Sequence, residues 1–244
     1  MSPSITLYRA NGSCSLVPHA LLQHFSIPFR AVLMESTPSP SALATPKASF
    51  YRAADGSLSH EEYLQINPTG YVPCLVVDSD PTTTNTTNNN DTKTVITEMP
   101  AILTYISSLI PSNNHILGQT PLQRAKVTEW TTWLSGTLHG SGFGALWRPA
   151  RYSNDEEAHA SISAKGRENI EKCYARIDER LAGREYAVGE GLTVVDFNVW
   201  VFWRWGGIIG VDMPAKYPNY DKFAKRVAVL EGVKKALEVE GNVL

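Results

Sequence analysis

Residues 67–73 read Asn-Pro-Thr-Gly-Tyr-Val-Pro, and Thr97-Glu98-Met99 follows at the end of a later apolar stretch. Pro73 removes a backbone donor, which leaves Val72 with N–H and C=O groups that an extended peptide can pair with as an added strand. The carboxylate of Glu98 would then hold the ammonium of that ligand. An ordinary turn before a strand also accounts for Asn-Pro-x-Gly on its own. A second set of donors lies at Ser13-Cys14-Ser15, where a first strand meets a first helix. Donors beside a helix N-terminus favour an anionic sulfur, and a hydroxyl is a better donor than a thiol. Cys14 can therefore act on a sulfur or be a small packed residue at a crowded helix start. His139 ends an apolar helical run and precedes Gly140-Ser141-Gly142, small residues that leave room beside the helix. It either faces a site or is a partly buried histidine. Arg148 sits among aromatics, where it binds an anionic group or pairs with an acidic neighbour.

The elements that must position these residues divide in character. Ile5–Tyr8 is a short strand, and Leu16, Ala20, Leu21 and Phe25 recur at helical spacing with Pro18 in the first turn, where proline is tolerated. Residues 29–34 read as a second strand. Residues 36–60, rich in Pro, Ser and Ala, read as a loop before a short helix at 61–65. Residues 74–78 read as a buried strand with 94–97 as its hairpin partner. Between them the Thr/Asn-rich stretch 79–93 reads as a mobile extension. Residues 100–109 form a helix, and 110–121 a boundary. Beyond it lie only helical stretches, at about 122–143, 155–181, 193–209 and 220–239. Thr193-Val194-Val195-Asp196 is a capping box with Leu192 and Phe197 as its hydrophobic staple, a folding device worth roughly 1 kcal/mol. The helix between the first two strands implies a parallel pair, and the hairpin adds antiparallel strands. The expected architecture is an α/β thioredoxin-like domain with a mixed four-stranded sheet over 1–112 and an all-α domain over 120–244.

Composition narrows the classes of function. The chain has 244 residues, 43% of them hydrophobic, which is enough for one or two cored domains. Lys+Arg number 22 against Asp+Glu 24, a net charge of −2 that gives no reason to expect a nucleic-acid partner. No apolar run reaches membrane-spanning length and no secretory pattern opens the sequence, so neither membrane attachment nor glycosylation at Asn11, Asn85 or Asn90 is expected, and the cytoplasm is the default location. Three widely spaced cysteines make no disulfide framework, and no spacing among His19, His24, His60, His115 and His159 suggests a metal.

Together these features resemble the cytosolic glutathione transferase superfamily over nearly the whole chain. The resemblance implies that Val72-Pro73 is the cis-proline turn that binds the cysteinyl part of glutathione. It implies that Glu98-Met99 grips the γ-glutamyl end, with Met99 standing where the family has Ser. Tyr71 takes the place of the family's basic or amide residue that contacts the glycine carboxylate. Asn11-Gly12-Ser13-Cys14-Ser15-Leu16 is similar to the bacterial beta-class signature, with further matches at Thr128-Glu129-Trp130, Leu138-His139, Leu146-Trp147-Arg148-Pro149 and Arg204-Trp205. In that class the equivalents of Cys14 and His139 approach the glutathione sulfur. Ser13-Cys14-Ser15 also resembles the zeta-class motif of the maleylacetoacetate isomerases, with Gly12 for its first Ser, and Asn11-Gly12 resembles the Ure2-like fungal proteins.

The resemblance implies Ser13, Cys14, Ser15 and His139 as catalytic residues, and Asn11, Phe143, Trp147, Arg148, Tyr152 and Trp205 as lining for an electrophile pocket. An aromatic stripe at helical spacing is otherwise core, the expectation for Trp130, Trp133 and Trp200. The expected activity is transfer of the glutathione thiolate, as co-substrate, to an electrophile, with no metal. Cys14 would stabilise that thiolate or form a mixed disulfide with glutathione. The alternatives are glutathione-dependent cis–trans isomerisation of a conjugated alkene, and a non-catalytic glutathione-binding regulator or carrier. The insert suggests a fungal origin, and with it secondary metabolism or detoxification. A homodimer is implied by the family.

Overall fold

A computed structural model describes residues 4–38, 49–78 and 93–241. Within them the chain makes two compact units, the first from 4–38, 49–78, 93–110 and 231–241, the second from 111–230. No helix among the described residues is long and apolar enough to cross a membrane.

The first unit contains β1 (Ile5–Arg9), α1 (Leu16–His24), β2 (Arg30–Pro38), β3 (Ser49–Ala53), α2 (His60–Ile66), β4 (Cys74–Asp78), β5 (Lys93–Ile96) and α3 (Met99–Ser108). The strands form one mixed sheet in the order β3-β2-β1-β4-β5. β1 and β2 run parallel with Leu7 opposite Ala31, as the intervening helix requires, and the other neighbours are antiparallel. Because side chains alternate across a strand, Ile5, Leu7 and Arg9 of β1 are buried on one face while Tyr8 turns to the other. There Val32, Met34, Tyr51, Ala53, Cys74 and Val76 form a core with Tyr63 of α2.

Two expectations change here. The sheet has five strands rather than four, because β3 arises inside the stretch read as a loop. Tyr51 and Ala53 are buried and Arg52 between them is exposed, so strand alternation overrides a loop-like composition. The helix expected at 220–239 is broken, and its second half leaves the helical domain. α10 (Glu231–Glu240) belongs to the first unit, where it packs on α1 with Val233, Ala236 and Leu237 buried and Gly232 against the backbone of His24. The division at 1–112 and 120–244 therefore fails at its C-terminal end. An amphipathic pattern shows that a face is covered, not what covers it. The insert expected at 79–93 falls outside the described residues, apart from Lys93 at the start of β5.

The second unit is helical: α4 (Pro121–Trp133), a π-helical segment (Leu134–Gly144), α5 (Ala145–Trp147), α6 (His159–Leu181), α7 (Val194–Ile208), α8 (Met213–Lys216) and α9 (Pro218–Ala228). At the start of α7, Asp196 accepts from Thr193 N–H at 2.8 Å, Thr193 hydroxyl at 2.8 Å and Ala187 N–H at 3.1 Å. Burial nevertheless pushes its carboxyl up to about 6.

Candidate functional site

The turn after β1 is tied together by its own side chains. Ser15 Oγ accepts Ala10 N–H at 3.0 Å and reaches Ala10 C=O at 3.1 Å; Ser13 Oγ reaches the same carbonyl at 2.8 Å and lies 2.6 Å from Ser15 Oγ. Each hydroxyl has one proton to give. One serine donates to the other and the remaining proton goes to Ala10 C=O, so both donors are consumed inside the loop. Ser15 is fully buried. The thiol of Cys14, half-buried, points instead at Val72 C=O, 3.6 Å away. Of the three cysteines, Cys74 and Cys173 are buried, and burial pushes the Cys74 thiol up to about 11 and raises that of Cys173.

The cradle is built by Asn67. Its amide N–H donates to Tyr71 C=O at 2.8 Å, its carbonyl accepts from Thr69 hydroxyl at 2.9 Å, and Tyr63 hydroxyl adds a 2.7 Å bond to Tyr71 C=O. These bonds hold the chain as it enters Val72-Pro73, whose peptide bond is cis as the resemblance implied. The Val72 N–H has no protein acceptor among the described residues. Tyr71 itself projects outward, 44% exposed.

Glu98 stands directly before α3 with φ 66° and ψ 126°, a left-handed conformation for a side chain that gains nothing from it. Such a residue costs of order 1–3 kcal/mol and persists where its position serves a purpose. The carboxylate is exposed and makes no cap bond to its own helix. Met99 differs: its side chain is buried as the first residue of α3, so what it offers a ligand is backbone at a helix N-terminus.

Glu240 and Arg9 of this unit escaped the sequence reading, and His19 entered it only as a histidine outside any metal spacing. Glu240 accepts the Gly12 N–H at 2.7 Å and lies 2.9 Å from His19 Nδ1 and 3.7 Å from Arg9 Nη1. Arg9 also donates to Asn11 Oδ1 at 2.6 Å, so Asn11, expected in a substrate pocket, is an exposed member of this turn. Nothing in the sequence joins Gly12 to a glutamate 228 positions away. The buried polar character of Arg9 and His19 could have been suspected only from their places inside apolar patterns.

The second unit gathers the remaining predicted residues. His139 lies on the π-helical segment with ring centroids 5.3 Å from Trp205 and 5.9 Å from Phe202. It is half-buried; burial first, then the charges of Arg148 and Arg151, hold its imidazole down at about 4, so it is neutral at pH 7. Phe143 and Trp205 pack 5.0 Å apart and are buried, as are Trp130 and Trp200, so they back the cluster rather than line it. Trp133 is half-buried with the Arg176 guanidinium 5.0 Å over its ring. Trp147, 41% exposed, and Tyr152, 50% exposed, supply the accessible aromatic surface, with half-buried Arg148 between them in sequence.

The room expected beside Gly140-Ser141-Gly142 is filled. Tyr152 hydroxyl donates to Gly140 C=O at 2.5 Å and a Cβ on Gly142 would come within 2.9 Å of Ile170. Glycines here relax the α-helix to wider π turns rather than opening a gap, a departure common at functional sites. Among the described residues, no three His, Cys, Asp or Glu side chains gather as a metal ion would need.

Comparison with known proteins identifies the family. A family model described as "Glutathione S-transferase, N-terminal domain" matches residues 12–109, and one described as "Glutathione S-transferase, C-terminal domain" matches residues 147–231. The chain is 27% identical over 235 residues to glutathione S-transferase GST-4.5 of Xanthomonas campestris, covering 96% of this chain and 98% of the relative. It is 28% identical over 240 residues to maleylacetoacetate isomerase maiA of Aspergillus fumigatus, covering 96% and 90%. A solved bacterial beta class glutathione S-transferase from Sphingomonas chungbukensis matches with TM-score 0.71 and 27% identity, over 98% of this chain and all of that one. Both halves of the chain and its fold thus point the same way, and the protein belongs to the cytosolic glutathione S-transferase family.

Proposed function

We propose that this transferase binds glutathione against the Val72-Pro73 turn and Glu98, and that Cys14 is the residue that meets its sulfur. The observation that carries this reading is the approach of Cys14 Sγ to Val72 C=O, 3.6 Å, which joins the thiol-side loop to the peptide-binding turn. The Val72 N–H and C=O would pair with the cysteinyl backbone, as an added strand does. Glu98, exposed at the start of α3, would take the γ-glutamyl ammonium, and the α3 N-terminus its carboxylate. The free thiol has a reference pKa of about 8.5, so a neutral-pH nucleophile needs its thiolate favoured. The Cys14 S–H, just before α1, is placed to do that once the ligand backbone takes the Val72 C=O it now reaches, whereas Ser13 and Ser15 stay bonded to Ala10 and each other. Neutral His139, beside Trp205 and under the charge of Arg148, would face the electrophile with exposed Trp147 and Tyr152, and Arg148 favours an anionic one.

The test is Cys14→Ala against Ser13→Ala with a soluble aryl halide. Loss of one hydrogen bond to the thiolate predicts about a tenfold fall in kcat/KM and a raised thiol pKa in Cys14→Ala. A Cys14→Ala enzyme with wild-type pH profile, alongside a Ser13→Ala enzyme that loses activity, would transfer the role to Ser13.

A second reading, glutathione-dependent cis–trans isomerisation, is favoured by the likeness to the Aspergillus fumigatus isomerase. The thiolate would add to a conjugated alkene, the single bond rotate, and the thiol leave unchanged. Following glutathione concentration separates the two: conjugation consumes it in step with product, isomerisation leaves it constant. We further propose a cytoplasmic homodimer, and light scattering at the mass of one chain would refute the dimer.

A further inference from the structure

We infer that Glu240, on the last helix, is a positioning residue for the thiol-activating loop, holding Gly12 and Asn11 so that Cys14 faces the Val72 turn. Its carboxylate is buried with side-chain exposure of 0%, and each oxygen has a partner. Oε2 takes the Gly12 N–H at 2.7 Å, and Oε1 lies 2.9 Å from His19 Nδ1 and 3.7 Å from the Arg9 guanidinium. Arg9 passes the constraint on by donating to Asn11 Oδ1 at 2.6 Å. Gly12 has φ +69°, a conformation from which the backbone turns sharply, and only two peptide bonds separate it from Cys14. A carboxylate buried in this way is retained only where its partners fix it, and here the partners are the residues that set the loop.

The charged and titratable groups packed against it include Arg9 from β1 and His19 from α1. On its own helix, Glu231 and Lys235 pair with each other at 2.6 Å near the far end, where His24 of α1 packs beside Gly232. A merely structural anchor would fix α10 to α1 through Val233, Ala236 and Leu237, without a backbone N–H of the loop in its grip.

This inference rests on the glutathione reading above, which wild-type turnover and saturable glutathione binding check by themselves. The experiment compares wild type with Glu240→Ala, Glu240→Gln and Glu240→Asp. It measures glutathione Kd by calorimetry, the thiol pKa of bound glutathione by ultraviolet thiolate absorbance, and kcat/KM across pH. Displacement of the loop predicts, for Glu240→Ala, a raised thiol pKa and kcat/KM lower by up to about 10²-fold, with Kd little changed because Val72 and Glu98 are untouched. Glu240→Gln still accepts the Gly12 N–H and recovers most of the rate; Glu240→Asp, one methylene short, does not. A folded Glu240→Ala enzyme with wild-type thiol pKa and kcat/KM overturns the inference. Should the alanine variant not fold, the other two decide. A recovered Gln and an impaired Asp support it, while equal thiol pKa in wild type, Gln and Asp, or an impaired Gln beside a wild-type-like Asp, overturns it.

Discussion

Ser15 shows how much a single hydroxyl can hold at the residue scale. It sits at the first helix with zero exposure and serves both the N–H and the C=O of Ala10. Ser15→Ala leaves that half-buried N–H without its Ser15 acceptor, so unfolding in urea should show a loss of about 1 kcal/mol. Activity per folded molecule should fall less than in Cys14→Ala. His139 makes a prediction of the opposite kind, read through pH. Its imidazole is held at about 4 in the folded protein against 6.5 for a free histidine. Between those values the unfolded chain binds more protons than the folded one, so stability falls as pH drops from 6.5 towards 4 and is level outside that window. The shift corresponds to at most about 3 kcal/mol, and the partial exposure of the residue reduces it further. His139→Phe should flatten this part of the stability profile, which denaturant melts at pH 7.5 and pH 5 would measure, the values chosen to span about the free histidine pKa.

At the element scale the π-helical segment and α6 fit because small residues face each other. A Cβ on Gly166 would sit 2.5 Å from Leu146 N and 2.8 Å from Gly142 C=O, so the two backbones meet there. Gly166→Ala forces the helices apart and should cost about 1–3 kcal/mol. Gly136, on the same segment, has nothing within 4 Å of a Cβ. Gly136→Ala is therefore expected to be neutral or stabilising, by up to about 1 kcal/mol. Calorimetric melts of the two variants compare a packing glycine with a spare one; equal Tm changes would contradict the packing account. Gly140-Ser141-Gly142 looked alike in the sequence and read as room beside a helix. Smallness of side chain is visible there, but whether a neighbour has already used the space is not.

Over the whole molecule, α10 closes the first unit after the chain has passed through the second. Deleting residues 231–244 removes Glu240 and the buried Val233, Ala236 and Leu237, and uncovers their partners on α1. The truncated chain should lose retention on immobilised glutathione and melt well below wild type, while Glu240→Gln keeps both. Equal retention would show that the first unit folds without its last helix.

Read by itself, the sequence determined the mixed α/β first half, the helical second half, the turn at Val72-Pro73, the acidic residue Glu98 and the donor cluster at Cys14. Each is set by short-range rules: proline geometry, strand and helix period, and helix capping. It also placed the aromatic stripe in the second half. What only the tertiary structure decided were contacts between distant residues. β3 became a strand because its alternate residues fill a core. The serines spent their protons on each other and on Ala10, while the Cys14 thiol faces the Val72 turn. α10 joined the first unit, and Glu240 came to hold Gly12 from 228 positions away. No local pattern encodes these, because burial and hydrogen-bond satisfaction are settled by whichever surfaces the folded chain brings together.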